Sequence, residues 1–408
     1  MSKKILITTL IIIAVLGTLF FVFFLNPQQE EDGALGIFNF FPFGKATIST
    51  SSRETSETGL LDKTSDGLAA LPVPVLRKVS DTAVAGATLL ETASSTDILY
   101  IERGTGHIYN TSIDSLVQKK ISNTTIPKIY ETLWIDSEPA LIIRFLKEDN
   151  ETIESFYAKL LTQQEKETDL SNLEGTFLST NITEITVSPD SKKIFSITET
   201  AMGGVGKVSN PDGTEEEAFF LPVKEWLISW PQTNIITLTT KPSSQAEGYL
   251  YFLNTTTGGL TKILGGIFGL TTLANEDGQK ILYSESKNKK INLFLFDRKT
   301  NKIIDISLPT LPEKCVWSQK DKVSLYCAVP YSIQNGDYPD SWYQGTVSFN
   351  DSLWKINTDT GETEMLYDFN KENEKIDMIK PLLNKQNSFL IFTNKKDLSL
   401  WSLRLNSN

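Results

Sequence analysis

The feature that most constrains the fold is a turn that recurs at nearly regular intervals, each time before a short hydrophobic run. From Pro72 onward, runs such as ALIIRF, NIITLTT and KILYSES are separated by turn residues, and no long stretch has the period of a helix. The turns begin near Ala93, Asp136, Ser188, Trp230, Asn275, Ser318 and Asn384. Their spacings are 43, 52, 42, 45, 43 and 66 residues, close to the roughly 40 to 50 residues of a four-stranded propeller blade. Seven turns therefore predict an all-β domain over residues 72–408, folded as a seven-bladed β-propeller.

Two sets of turn motifs carry a resemblance to a known family. SPDSKKIF at Ser188–Phe195 and NEDGQKIL at Asn275–Leu282 place turn residues directly before a strand. One hairpin later, GYLYFLNTTTGG, INLFLFDRKTNK and DSLWKINTDTGE alternate apolar residues and then place Asn254, Asp297 or Asn357 at a tight turn. These residues resemble the WD40-like repeats of the TolB type, whose blades read roughly S-P-D-G-x-x-I and then L-Y-x-x-D-x-x-T-G. The resemblance covers about three blades well, and it implies an envelope protein that binds other proteins. The chain departs from that family in its hydrophobic N-terminal span and in showing no α/β domain ahead of the propeller.

We expect the ring to close through the chain's own N-terminal segment. Leu76–Glu91 resembles Val117–Trp134 when the two are offset by 42 residues, and each reads as the end of one blade entering the next. The last blade, residues 380–405, has room for about three strands of typical length. Residues 75–80 are therefore predicted to supply its outer strand, which would remove an open sheet edge.

The chain begins with an apolar segment, Ile5–Leu25, which carries no charge and is long enough to cross a bilayer as a helix. Two lysines precede it and acidic residues 30–32 follow it, so the positive-inside rule places residues 1–4 in the cytoplasm and the propeller outside. A cleaved signal peptide is the alternative, but the apolar stretch is longer than usual and lacks an A-x-A-like site. The sequence therefore predicts a single-pass membrane anchor, followed by a juxtamembrane segment and a Ser- and Thr-rich flexible linker over residues 26–71.

Composition argues against several classes of function. The chain has 39 Lys and Arg against 50 Asp and Glu, and this gives a net charge of -11. A negative charge of this size disfavours binding to the phosphate backbone of nucleic acid. His107 is the only histidine, so a multi-histidine metal site is impossible and any Ser-His-Asp arrangement would have to use it. No Gly-rich phosphate loop or nucleophile elbow precedes a predicted helix. We therefore assign no catalytic residue, metal site or cofactor, interpret His107 as a surface or packing residue, and leave the oligomeric state open.

Cys315 and Cys327 are the only cysteines in the chain. In CVWSQKDKVSLYC, a turn centred near Asp321 would place the two opposite each other across one hairpin, where the Cα separation can suit a bridge. A compartment outside the cytoplasm permits disulfides. The spacing therefore predicts a Cys315–Cys327 disulfide, with two buried thiols as the alternative.

One blade is longer than its neighbours. The blade that begins near Ser318 has about 20 extra residues, approximately residues 330–350. They concentrate Tyr331, Tyr338, Trp342, Tyr343 and Phe349 beside Asp337 and Asp340. Aromatic side chains with polar groups on a loop are typical of surfaces that recognise a protein or a sugar. We predict a binding surface made of Tyr338, Trp342, Tyr343, Asp337 and Asp340. The alternative is a lid that packs these rings onto its own propeller face.

These features favour a membrane-anchored binding or scaffold protein of the cell envelope, with an envelope protein or a surface glycan as its partner. The alternative is a carbohydrate-active envelope enzyme that uses carboxylates at the mouth of the propeller. Two or three carboxylates brought together at that mouth would favour the enzyme. An uncharged or plugged channel would favour the scaffold.

Overall fold

The described residues form a closed ring of β-sheets. The computed structural model describes residues 72–136, 139–160 and 173–405. These residues contain seven antiparallel four-stranded sheets, so the predicted all-β, seven-bladed propeller is confirmed. The predicted membrane span, Ile5–Leu25, and the predicted linker, residues 26–71, lie outside the described residues. Within the described ranges, no helix is both long and apolar enough to cross a membrane.

The blades follow one another along the chain, except that the first strand joins the last blade. That first strand is β1 (Leu76–Lys78). Blade 1 contains β2 (Val84–Glu91), β3 (Thr96–Glu102), β4 (Ile108–Ser112) and β5 (Lys119–Ser122). Blade 2 contains β6 (Ile129–Ile135), β7 (Ala140–Leu146), β8 (Ile153–Leu160) and β9 (Leu173–Phe177). Blade 3 contains β10 (Ile182–Val187), β11 (Ile194–Thr200), β12 (Gly203–Ser209) and β13 (Glu217–Leu221). Blade 4 contains β14 (Trp226–Gln232), β15 (Ile235–Thr240), β16 (Glu247–Asn254) and β17 (Leu260–Phe268).

The remaining blades have the same plan. Blade 5 contains β18 (Thr272–Ala274), β19 (Lys280–Lys287), β20 (Lys290–Asp297) and β21 (Lys302–Asp305). Blade 6 contains β22 (Cys315–Trp317), β23 (Ser324–Pro330), β24 (Asp351–Asn357) and β25 (Thr363–Asp368). Blade 7 contains β26 (Met378–Leu383), β27 (Phe389–Asn394), β28 (Leu400–Arg404) and β1. The only α-helix of the described residues is α1 (Asp340–Tyr343), and short 3-10 helices cover Pro312–Lys314 and Phe369–Glu372.

The recurring turns of the sequence join the first and second strands of the blades. The Asn275 side-chain oxygen accepts the Lys280 backbone N–H at 2.9 Å, and Asn384 accepts that of Phe389 at 2.9 Å. Such side-chain to backbone bonds satisfy the turn without a partner strand. One predicted turn is displaced, because Trp230 lies inside β14 and the turn follows the end of that strand. The indole of Trp230 is large and apolar, and it is buried between the blades.

The ring closes as the sequence predicts. β1 pairs with β28 in antiparallel register, with Leu76 opposite Leu403. The Arg77 side chain is 4% exposed. Its guanidinium donates to the Ser115 carbonyl oxygen at 2.6 Å and to Thr111 Oγ1 at 2.9 Å, both in blade 1. The N-terminal segment therefore supplies the outer strand of blade 7 and also joins that blade to blade 1.

The core lies between the blades, because each sheet packs against both of its neighbours. Every residue of β23 is buried, whereas four of the five residues of the outer strand β9 are exposed. Tyr326 and Leu353 of blade 6 pack with Phe392 and Trp401 of blade 7 in one cluster. Burial on both faces explains why the second strand of a blade reads as a continuous hydrophobic run rather than an alternating one.

The predicted disulfide is confirmed. Cys315 and Cys327 are directly opposite each other in the pairing of β22 with β23. Their Cα atoms are 4.0 Å apart and the sulfur atoms are bonded. The bridge therefore joins the inner strand of blade 6 to its neighbour beside the turn that follows Trp317.

Candidate functional site

The 20-residue excess of blade 6 is a single loop on one face of the ring. In an antiparallel four-stranded blade, the loop between the second and third strands lies at the same end as the connector to the next blade. We call this end the upper face. It carries residues 331–350, the loop between β23 and β24, which we call the insertion. It also carries the connector that contains Pro312–Lys314, which enters blade 6.

The insertion is attached to neighbouring blades. Asp340 Oδ2 accepts the backbone N–H of Ser244 in blade 4 at 2.7 Å. The Tyr338 carbonyl oxygen approaches Gly269, between blades 4 and 5, so closely that a Cβ there would lie 2.7 Å from it. Gly269 also has a φ of +66°, a conformation that favours glycine. The insertion thus lies across the upper face rather than projecting from it.

Three aromatic rings anchor the insertion. Tyr338, Trp342 and Phe349 are buried, and they pack with Ile291 of blade 5 and Leu311 of the connector before blade 6. The rings of Trp342 and Phe349 are stacked, with centroids 6.3 Å apart. This burial is what the lid alternative predicts for these rings. A binding role for Tyr338 and Trp342 stays a prediction.

Other side chains of the insertion face solvent. Tyr331 is 78% exposed, Tyr343 is 40% exposed, and Asp337 is also exposed. Tyr331 borders a groove of about 380 Å³. The rest of the groove is lined by uncharged residues, namely Ser332, Gln334, Thr346, Val347, Ser348, Phe349, Asn350 and Asn370. Tyr343, Asp337 and Tyr331 are therefore the acidic and aromatic groups of the insertion that a partner could reach.

A fully buried charged cluster lies beneath the insertion. The Lys314 side chain has no exposed surface. Its Nζ is 2.7 Å from Asp351 Oδ2 and 2.6 Å from Asp377 Oδ1, and neither aspartate is exposed. The same Nζ lies 5.4 Å from the ring centroid of Trp342 and 5.5 Å from that of Phe349. One ammonium group, two carboxyl groups and two aromatic rings thus share a site without access to solvent.

The two aspartates of this cluster are not equivalent. Asp377 accepts the indole N–H of Trp342 at 3.1 Å and the backbone N–H of Phe349 at 2.9 Å. Burial opposes ionisation, but the charge of Lys314 and these donors hold the pKa of Asp377 below its usual value. Asp351 Oδ1 is buried and has no hydrogen-bond partner among the described residues. Burial raises the pKa of Asp351 to about 6.

The centre of the ring contains a cavity of about 390 Å³. Glu131 of β6 and Lys380 of β26 line it, and Lys380 Nζ lies 3.4 Å from Glu131 Oε1. Arg144 Nη1 lies 2.5 Å from the other oxygen of Glu131. The carboxylate of Glu131 is therefore held by two cations.

Two more glutamates lie near the upper face, at the end of the channel where Glu131 and Lys380 meet. Glu184 belongs to the inner strand β10, and burial raises its pKa to about 7. Glu313 accepts hydrogen bonds from the Tyr343 hydroxyl and from Thr271 Oγ1, and burial raises its pKa. Burial and the neighbouring Glu313, with a smaller contribution from Glu184, hold the pKa of Tyr343 well above its usual value. The Tyr343 hydroxyl therefore points inward to Glu313, and the exposed part of this residue is the rest of the ring.

The described residues contain no group of three or more His, Cys, Asp or Glu side chains placed to hold a metal ion. His107 lies in the loop between β3 and β4, where its carbonyl oxygen accepts the Glu102 backbone N–H at 2.9 Å. The His107 side chain is partly buried, and this residue is far from the insertion along the chain.

Sequence reasoning missed the buried cluster and the three glutamates. Lys314, Asp351 and Asp377 belong to two connectors and the start of a strand, and no motif joins them. The only local signal is an acidic residue at the first position of the apolar strand DSLWKIN, next to a predicted insertion. Nothing in the sequence marks Glu131 or Glu184 as residues of the channel.

Comparisons with known proteins concern the fold. No protein-family model matches the chain, and no curated protein matches it by sequence. Oligogalacturonate lyase from Vibrio parahaemolyticus has a similar structure, with a TM-score of 0.54 and 9% identity over 81% of this chain and 94% of that chain. The β-propeller domain of the Trilobed protease from Pyrococcus furiosus matches with a TM-score of 0.48 and 12% identity, covering 80% of this chain and 97% of that chain.

TolB from Acinetobacter baumannii also matches, with a TM-score of 0.39 and 10% identity over 79% of each chain. At such identities a structural match concerns the fold and not the site. Of these three, only the match to oligogalacturonate lyase has a TM-score above 0.5, and it indicates a similar overall fold.

Proposed function

We propose that this chain is a membrane-anchored, extracytoplasmic β-propeller that binds another protein of the cell envelope through its upper face. Ile5–Leu25 would hold it in the membrane, and residues 26–71 would let the propeller reach its partner. The resemblance of the turn motifs to TolB-type repeats supports protein binding as the class of function.

The insertion is the observation that carries this proposal. It belongs to a single blade and adds nothing that the seven-bladed ring needs in order to close. Tyr338, Trp342 and Phe349 fix it in place, so its exposed groups have little freedom left to lose on binding. Tyr331 presents an aromatic ring that is 78% exposed beside an uncharged groove. Exposed aromatic side chains on a rigid support are typical of residues that dominate the binding energy of an interface.

Affinity measurements on the full-length protein test the role of the insertion. A protein partner captured from the envelope is purified, and its Kd is compared for the wild type, Tyr331→Ala and Phe220→Ala. Phe220 is a suitable control because it is an aromatic residue, 65% exposed, on the outer strand of blade 3. We expect Tyr331→Ala to weaken binding by about 30-fold, which corresponds to about 2 kcal/mol, and Phe220→Ala to leave it unchanged. Wild-type affinity in Tyr331→Ala, or an equal loss in both variants, would contradict the proposal.

The anchor and its orientation are tested separately. Protease added to intact cells or protoplasts should digest the propeller, because the charges that flank Ile5–Leu25 predict that residues 72–408 lie outside. A cytoplasmic protein of the same cells serves as the control for lysis. Digestion of the propeller only after lysis would refute the orientation, and recovery of full-length protein in the soluble fraction would refute the anchor.

The channel supports a second candidate, a carbohydrate-active envelope enzyme, because carboxyl groups at the mouth are the feature that favours this class over a scaffold. Glu131, Glu184 and Glu313 belong to the same end of the ring, and the pKa of Glu184, about 7, suits a general acid at neutral pH. Against this candidate, Glu131 is held by Arg144 and Lys380. A carboxylate with two cationic partners is a poor nucleophile and a poor base.

Release of reducing ends from envelope polysaccharide tests the enzyme. The full-length protein would have to cleave the polysaccharide, and Glu184→Gln would have to abolish cleavage while the exposed control Glu217→Gln retains it. Equal activity in both variants would exclude Glu184 as the acid. Cleavage by the wild type with no protein partner would replace the scaffold proposal.

A further inference from the structure

The cluster of Lys314, Asp351 and Asp377 differs from an ordinary buried ion pair. Two carboxyl groups share one ammonium group, so full ionisation would leave a net negative charge in a site without solvent. Charges buried in this way are strongly unfavourable, and burial raises the pKa of Asp351 to about 6, so Asp351 is the carboxyl group that takes up a proton more readily. When Asp351 is protonated, the site holds an ammonium group, a carboxylic acid and a carboxylate, and both carboxyl groups lie within hydrogen-bonding distance of Lys314 Nζ.

We propose that Lys314 and Asp351 become joined by an amide bond between Nζ and the side-chain carboxyl carbon, with Asp377 moving the proton. Lys314 Nζ lies 2.7 Å from Asp351 Oδ2. The carboxyl carbon is one bond beyond that oxygen, close to the about 3 to 3.5 Å separation at which reacting atoms are poised. The structure thus holds Lys314 Nζ in contact with both carboxyl groups, as such a reaction requires.

The surroundings assign different roles to the two aspartates. The reacting carboxyl group has to be the neutral one, because a carboxylate repels a nucleophile. Asp351 fits this role, since its Oδ1 has no hydrogen-bond partner among the residues described and burial raises its pKa to about 6. Asp377 fits the role of base, since Trp342 and the Phe349 backbone stabilise its ionised form.

The reaction needs no other reagent. Asp377 accepts a proton from the Lys314 ammonium group, which leaves a neutral amine able to act as a nucleophile. The amine nitrogen attacks the Asp351 carboxyl carbon and forms the N–C bond. Asp377 returns its proton to the departing hydroxyl group, the C–O bond breaks, and one water molecule leaves. The nitrogen gives its second proton to Asp377, which ends as the neutral acid beside the new amide. The Trp342 and Phe349 rings keep bulk water away from the charges and from the new amide.

The new bond would brace the insertion at its base. Lys314 directly precedes Cys315, and Asp351 is the first residue of β24, directly after the insertion. Blade 6 would therefore contain two adjacent covalent links, the disulfide between β22 and β23 and the amide between its entry connector and β24. This inference concerns the support of the upper face and holds whatever partner that face binds.

Peptide mapping of the full-length protein tests the bond. After denaturation and reduction, the protein should be lighter than its sequence by one water molecule, and a proteolytic digest should contain a branched peptide that links Lys314 to Asp351. The branched peptide is required because dehydration of an aspartate to a succinimide gives the same mass loss. Recovery of these segments only as linear peptides, with cleavage after Lys314, overturns the proposal.

Two variants test the assigned roles. Asp377→Ala should slow formation of the branched peptide by at least about 100-fold, as expected for loss of a general acid and base. Lys395→Arg is the matched control, because Lys395 Nζ lies 5.0 Å from the Trp342 ring centroid and an arginine at this position would keep the charge and take no part in the reaction. An unchanged yield in Asp377→Ala would overturn the role of Asp377. Circular dichroism of each variant separates a failure to react from a failure to fold.

Discussion

Replacing Trp342 by alanine should destabilise the propeller strongly. The side chain is 3% exposed, stacks on Phe349 and donates its indole N–H to Asp377 at 3.1 Å. Truncation of a buried Trp to Ala costs about 3 to 5 kcal/mol. A hydrogen bond to a charged group contributes about 1.5 to 3 kcal/mol. This energy is not added to the cost of truncation, because both refer to loss of the same side chain. We therefore expect a loss of about 3 to 5 kcal/mol in the free energy of unfolding.

Urea unfolding of the disulfide-bonded protein measures this loss as a lower midpoint at an unchanged slope. Trp342→Phe keeps most of the ring but removes the indole N–H, so it should cost about 1 to 3 kcal/mol. Tyr331→Ala, on the same insertion but 78% exposed, should stay within about 0.5 kcal/mol of the wild type. A midpoint for Trp342→Ala equal to that of Tyr331→Ala would refute the packing of the insertion onto the ring.

Three further predictions concern closure, cross-linking and pH. Arg77→Ala should lower the free energy of unfolding by about 3 kcal/mol, because buried donors between blades 7 and 1 are lost. Lys78 is a partly exposed neighbour, and Lys78→Ala should lower the free energy of unfolding by less than about 1 kcal/mol in the same urea experiment. Replacing Cys315 and Cys327 together by alanine should cost about 3 kcal/mol for a bridge that spans 12 residues, and a midpoint equal to that of the wild type would contradict this. Glu184 has a folded pKa of about 7 against its usual 4.5, so the native state binds more protons than the unfolded state between these values. Its contribution to stability therefore falls as pH rises from 4.5 to 7, by up to about 3 kcal/mol, and midpoints measured across this range should change less with pH in Glu184→Gln.

The fold could be predicted from the sequence because each blade repeats a local signal. Turn residues such as Asn275 and Asn384 form bonds within five residues, so their pattern needs no knowledge of the tertiary structure. The disulfide could be predicted for the same reason, since Cys315 and Cys327 belong to one hairpin. The fourth turn was displaced because Trp230 is an apolar residue whose burial between blades is a tertiary property.

The site could be predicted only in part. The length and composition of the insertion are sequence properties, but which of its rings are buried depends on blades 4 to 6. Trp342 and Tyr343 are adjacent in the chain, yet one is buried against Phe349 and the other is 40% exposed. Lys314 and Asp377 meet across a separation of 63 residues. A contact of that range depends on how blades 6 and 7 pack against each other, so no motif in the sequence indicates it.

Site-specific photo-cross-linking in living cells tests the proposed function most directly. A photoreactive phenylalanine analogue replaces Tyr331 on the upper face or, as the control, the exposed Thr256 in a turn on the opposite face of blade 4. We predict a discrete adduct with one envelope protein from position 331 and none from position 256. An adduct from position 256 alone, or no protein adduct from either position, would contradict the proposal that the upper face binds an envelope protein.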